Sequence, residues 1–305
     1  MIRPSFERKE TFTEGADGHM RTLTAGEIKA LIVLLGDEDI KTAHIARTTL
    51  LEARQQAEPF LEEARTSVDP HVRTRVYSIL ERLRLDDLAG QFREFAAAPS
   101  AWLDLEEGAF LIAESEYPTI NRSHYKGILE QMTQQFRERL YTETGAPVQG
   151  RELVESFNDF FFNELGFAGN QEDYHNPDNI YLNQVLDRRL GIPISLSTVY
   201  LLLADRLRIP VVGIGMPGHF LLQYNDSLFI DAFHKGQLLN RSECVQFLMN
   251  NGFGFHPAYL SPTPTRFMLV RMLTLLIQTY STRDPERADL LAGFRDILTQ
   301  SYAKV

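Results

Sequence analysis

Cysteine is all but missing from this sequence: among 305 residues there is one, Cys244. A single thiol excludes a disulfide within the chain and any zinc site built on several thiolates. A surplus of positive charge is missing too. The formal net charge of −10 gives no general attraction to nucleic acid or to an anionic membrane surface. Nor is there a long hydrophobic run: nothing approaches the ~18 uninterrupted apolar residues of a membrane helix. The opening MIRPSFERKETFTEGADGHM likewise lacks an apolar stretch of signal-peptide length. These absences lead us to expect a soluble cytoplasmic protein with no cofactor, no metal, no nucleic-acid partner and no membrane partner. The composition that remains is that of an ordinary globular chain, long enough for two or more domains.

The pattern along the chain divides it into four parts. Residues 1–22 are polar and aperiodic and read as a flexible arm. Residues 23–98 are helical in pattern. Thr24 and Glu27 have the spacing of a capping box, and Asp37-Glu38-Asp39-Ile40-Lys41 resembles Asp69-Pro70-His71-Val72-Arg73, each a capping acid and turn before helically spaced apolar residues. This weak repeat reads as a short HEAT-like stack, with a non-repeating helical bundle as the alternative. Ala96-Ala97-Ala98-Pro99-Ser100 reads as a boundary. Residues 101–262 then mix helical segments with short strands, and 265–305 form a helix hairpin of the size of one tetratricopeptide unit.

Within the third part, Pro193 suits the first turn of a buried helix running to Leu207. Three strands follow, over 211–215, 218–224 and 227–233. Tyr224-Asn225-Asp226-Ser227 supplies turn chemistry between the last two, so His219 and Asp231 fall on neighbouring strands of a hairpin. A histidine oriented by an aspartate is two thirds of a nucleophilic triad.

Several blocks in order carry a family resemblance: Asn183-Gln184-Val185-Leu186 with Arg188-Arg189, then Gly191-Ile192-Pro193-Ile194-Ser195-Leu196-Ser197, Pro217-Gly218-His219-Phe220 and Ile230-Asp231-Ala232-Phe233. Over roughly residues 103–260 the chain resembles the SirB-like branch of the transglutaminase-like, papain-related proteins. The resemblance implies an α+β fold: a transglutaminase-like core with a small antiparallel sheet, here between the HEAT-like bundle and a shortened tetratricopeptide-like tail. In the broader superfamily a cysteine follows Gly-x at the start of the helix. That position is Pro193 here, which has no nucleophile, and the SirB-like branch is regarded as lacking the cysteine. Asn183, Arg188, Arg189, Pro217 and Gly218, which lie in these blocks, are the candidate ligand-binding positions, and the resemblance suggests a bacterial regulatory setting.

Each residue also has a plainer reading. His219 is either a surviving base or a structural histidine tying a strand to a loop. Ser195 near the helix start is either a substitute nucleophile or a first-turn residue satisfying backbone N–H groups. Arg188 and Arg189 either bind an anion or serve the end of their helix. Cys244 comes too late in the chain for this fold's nucleophile. A metal site from His219, Asp231 and His234 is conceivable, but no ligand-spacing motif supports one. Two functions follow. The leading one is a non-catalytic module binding a protein or peptide partner; the alternative is a Ser-His-Asp hydrolase or acyl-transfer enzyme using Ser195, His219 and Asp231.

Overall fold

The computed structural model describes residues 22–99, 102–141 and 145–300. All but the last residue of the arm expected over 1–22 therefore lies outside the described residues. The chain divides into two compact units after Leu85.

The first unit is helical: α1 (Ala25–Leu34), α2 (Ile40–Glu52), α3 (Arg54–Ala64) and the first part of α4 (Pro70–Ala97). The capping box at its start forms as the spacing predicts. Thr24 Oγ1 accepts from Glu27 N, and Glu27 reaches back to Thr24 N. The acids capping α2 and α4 are Asp39 and Asp69, each accepting from two backbone N–H groups. Asp37, which the sequence repeat pairs with Asp69, instead accepts from Asp39 N. The two capping acids are thus two residues out of register with the repeat read from sequence. Ile28, Leu35, Leu50, Leu61 and Val76 form the buried interior of this unit.

The second unit begins within α4 and holds eight further helices and six strands among the described residues. In order they are α5 (Leu105–Glu114), α6 (Arg122–Arg137), α7 (Gly150–Asn158), β1 (Ala168–Gly169), α8 (Leu182–Arg188), β2 (Leu190–Gly191) and α9 (Pro193–Leu207). Then come β3 (Val211–Met216), β4 (His219–Tyr224), β5 (Leu228–Asp231), β6 (Gln237–Leu239), α10 (Arg241–Asn250), α11 (Thr265–Tyr280) and α12 (Pro285–Gln300). The stretch Asp159–Glu164 after α7 winds as a π-helix, turning Phe160, Phe161 and Phe162 inward. No helix among the described residues is long and apolar enough to cross a membrane.

Strands β3 to β6 form an antiparallel sheet in sequence order, and β1 pairs in parallel with β2. Alternation along β4 sends its side chains to two different interiors. Phe220, Leu222 and Tyr224 join the main core with α9 and α11, whereas Leu221 joins Ile214, Met216, Phe229, Cys244 and Leu248 beneath α10. Every residue of β4 is consequently buried. Helix α9 is apolar almost all round because it lies inside this arrangement, packed by β4, α6 and α11. The tail helices are part of the same core, where Leu269, Met272, Leu276, Leu291 and Phe294 are buried and Phe294 stacks on Phe92 at 4.5 Å.

Candidate functional site

The turn between β3 and β4 consists of Pro217 and Gly218 alone, since Met216 pairs directly with His219. Proline presets φ at the first position, and Gly218 takes the positive φ of 75° that the second requires. His219 is thereby fixed as the first residue of β4. The β4–β5 register pairs Leu222 with Ile230; continued by one residue, it sets Asp231 opposite Leu221. His219 is then the diagonal neighbour of Asp231 on the same face, a separation that two long side chains can bridge.

They do bridge it: His219 Nε2 lies 2.8 Å from Asp231 Oδ2. The same carboxylate oxygen lies 2.8 Å from Nδ1 of His234. The other oxygen, Oδ1, accepts from the backbone N–H groups of Phe233 at 3.0 Å and His234 at 3.2 Å. Asp231 is thus aimed by its own turn and shared between two imidazoles. His219 and Asp231 are buried, while the His234 side chain is about half exposed. Burial alone works against a charged Asp231, but the hydrogen bond and charge of His219, then those of His234, hold its carboxyl below the usual range.

Two supports lie behind this cluster. Gly236 N donates to Asp231 O, and Asn158 Nδ2 donates to Gly236 O at 2.8 Å. Asn158 is itself held by Tyr200 of α9, whose hydroxyl donates to its Oδ1 at 3.0 Å. Gly236 has φ of 74°, and a Cβ there would meet Asn158 and Phe162. From α11, Arg271 donates to Met216 O at 2.9 Å and to His219 O at 3.0 Å, clamping both ends of the Pro217-Gly218 turn. Sequence reading passed over Arg271, because a basic residue in an amphipathic helix looks like an outward-facing one. The ring of His219 lies 5.5 Å from that of Phe247 on α10.

The other expected site residues lie apart from this pair. Ser195 is buried, and its hydroxyl accepts from Ile192 N at 3.0 Å and contacts the carbonyls of Ile192 and Asn179. Among the described residues no hydrogen bond joins Ser195 to His219. Pro193 is buried at the first position of α9. The neighbouring glycines bring the helix start near the Asp231 turn: Gly191 pairs with Gly169, where a Cβ would meet Phe233. Arg189 ends α8 with φ of 59°, its guanidinium stacks on Phe167 at 4.8 Å, and its Nη1 lies 3.8 Å from Met132 Sδ. Asn183 Oδ1, Arg188 Nη1 and Ser197 Oγ are buried with no hydrogen-bond partner among the described residues. Cys244 is buried in α10, and burial, with the charge of Glu243 behind it, pushes its thiol up to about 11.

A separate groove of about 1150 Å³ runs beside β3, lined among others by Trp102, Arg208, Val211, Val212, Thr263 and Met268. Trp102 is 81% exposed there. On the outer edge of β3, Ile214 bridges to Pro262 and Thr263 N donates to Gly213 O. The earlier residues of that edge, Val211 and Val212, face the groove.

The sequence pattern of the transglutaminase-like superfamily matches residues 123–274. A UPF0162 protein of Xylella fastidiosa (strain Temecula1) is 33% identical over 202 residues, covering 63% of this chain and 70% of that protein. A UPF0162 protein of Vibrio cholerae is 32% identical over 129 residues, covering 40% of this chain and 47% of that protein. Human F-box only protein 21 is 39% identical over 104 residues, which are 30% of this chain and 17% of that protein. No solved structure matches the chain significantly.

Proposed function

The chain belongs to the UPF0162 family and carries a transglutaminase-like superfamily domain, and from that premise we propose that it is a non-catalytic interaction module. The observation that carries this reading is the state of the hydroxyl nearest the expected nucleophile. Ser195 Oγ is spent on the first turn of α9 and on Asn179, and among the described residues no hydrogen bond joins it to His219. A thiol does not replace it, because Cys244 sits buried with its ionisation suppressed. Pro193, at the position where the resemblance expects cysteine, has no group to attack with.

The partner is an extended peptide or protein segment bound in the groove beside β3, in a cytoplasmic and regulatory setting. The apolar wall beside β3 offers side-chain pockets, and Trp102 offers a flat contact surface. We read the first unit as HEAT-like helices, α11 with α12 as a shortened tetratricopeptide unit, and the whole as the SirB-like branch. Exposed Val33, Ile40, Ile45 and Val68 on the first unit add a second contact surface.

Trp102 is the only tryptophan, so its emission reports on the groove directly. Titration with a panel of extended peptides should give a saturable emission change for some members, lost in Val212→Arg. Weak, non-saturating changes throughout would count against the reading. Ester or amide turnover abolished by both Ser195→Ala and His219→Ala would replace it with a serine enzyme.

A further inference from the structure

One carboxylate oxygen shared by two imidazoles, with its partner oxygen tied to the backbone, is a ligand arrangement that the peptide-binding reading does not use. We propose that Asp231, His219 and His234 form a binding site for one divalent transition cation of the zinc class. The site stands independently of the groove beside β3, and its failure would leave the interaction reading untouched.

The geometry is close to what such an ion needs. One ligand atom from each residue lies within 4.8 Å of the others, and both nitrogens already lie 2.8 Å from Asp231 Oδ2. Around an ion with bonds of about 2.0–2.1 Å, neighbouring ligand atoms stand roughly 3.0–3.4 Å apart. Opening the two contacts by about half an ångström makes that room. Two imidazoles and one carboxylate suit zinc and its neighbours, whereas magnesium and calcium take oxygen ligands.

Ligand orientation is built in before any ion arrives. Asp231 Oδ1 is held by Phe233 N and His234 N, which leaves Oδ2 facing the two rings. The turn that carries His234 is braced by Asn158 through Gly236 O. Such outer contacts fix ligand direction in metal sites, and losing one commonly weakens binding 10- to 100-fold. Access comes from the half-exposed His234, with water or a ligand atom completing the coordination.

The protons balance without an added reactant. Where a ring is neutral, it donates its N–H to Oδ2 in the metal-free site. On binding, that proton moves through solvent to the ring's other nitrogen, and the freed lone pair takes the ion. An imidazolium would release one proton instead. Arg271, which donates to His219 O, places a second cation nearby and limits the affinity.

The test uses the tag-free, full-length protein after removal of metal by chelation. Cobalt(II) is titrated in while visible absorption is followed, and zinc is then added as a competitor. One equivalent of cobalt should bind saturably and be displaced by zinc. Affinity should fall more than about tenfold in His234→Ala and in Asp231→Asn. Because His234 is half exposed, His234→Ala should keep the native circular dichroism and melting temperature. Zinc should raise the melting temperature of the unaltered protein and not of that variant. Absence of one-to-one binding overturns the proposal, and so does binding that folded His234→Ala retains within twofold.

Discussion

Nδ1 of His234 lies 2.8 Å from Oδ2 of Asp231, three residues earlier in the chain. This local pair turns a cross-strand His219–Asp231 contact into a cluster of three. It also gives the Asp231 carboxylate four hydrogen-bond partners: two rings and two backbone N–H groups.

Removing the acceptor should therefore cost far more than an exposed acid would. Asp231→Ala leaves Phe233 N, His234 N and the buried His219 without their partner. A loss of about 3 kcal/mol is expected, in line with breaking a buried charged network. Urea unfolding measures it; a loss under about 1 kcal/mol would mean the turn does not depend on the carboxylate.

The same carboxyl sets a pH dependence. Its folded value is held below the ordinary 3.8, despite the burial that opposes it, by His219 first and His234 second. A lowered folded value gives stability that is present above the unfolded value and is lost as pH falls through the folded one. The stability gap between the unaltered protein and Asp231→Asn should thus shrink as pH falls below about 4. Melting temperatures of both proteins across that range test the sign. A gap that widens on acidification below about pH 4 would contradict it.

Much of this was legible in the sequence where the signal is local. The Thr24–Glu27 box, the turn after Tyr224 and the apolar Pro193–Leu207 helix each rest on neighbours within one or two turns. What could not be read depends on distant partners. Strands β1 and β2 are two residues each, and they sit where a Cβ on Gly169 would meet Phe233 and one on Gly191 would meet Ser195 and Leu196. Strand β6, Gln237–Leu239, is too short to show alternation. The clamp by Arg271 is set by the packing of α11, which no spacing announces. His234 had a usable signal: Asp-x-x-His after a strand lets the acid accept from the N–H groups two and three residues on.

Cys244 should behave as an inert core residue. Its thiol is buried and pushed up to about 11, so almost none is thiolate at pH 8. A disulfide reagent should titrate no thiol in the folded protein and one after unfolding in denaturant. Rapid reaction of the folded protein would mark a reactive cysteine instead.

Ser195 should matter to stability. Its hydroxyl caps the first turn of α9 and ties it to Asn179 in the preceding loop. Ser195→Ala should cost about 1–2 kcal/mol, the range for a lost cap. It should leave peptide-induced changes in Trp102 emission unaltered. A stability change near zero would show that the cap is not what holds this serine.

On the proposed reading, His219 and Asp231 serve no nucleophile. The most direct test is the intact mass of the folded protein after exposure to a serine-directed fluorophosphonate, with His219→Ala treated alongside. No added mass is expected on either protein. One adduct per chain, mapped to Ser195 and missing from folded His219→Ala, would contradict it and make this a serine enzyme.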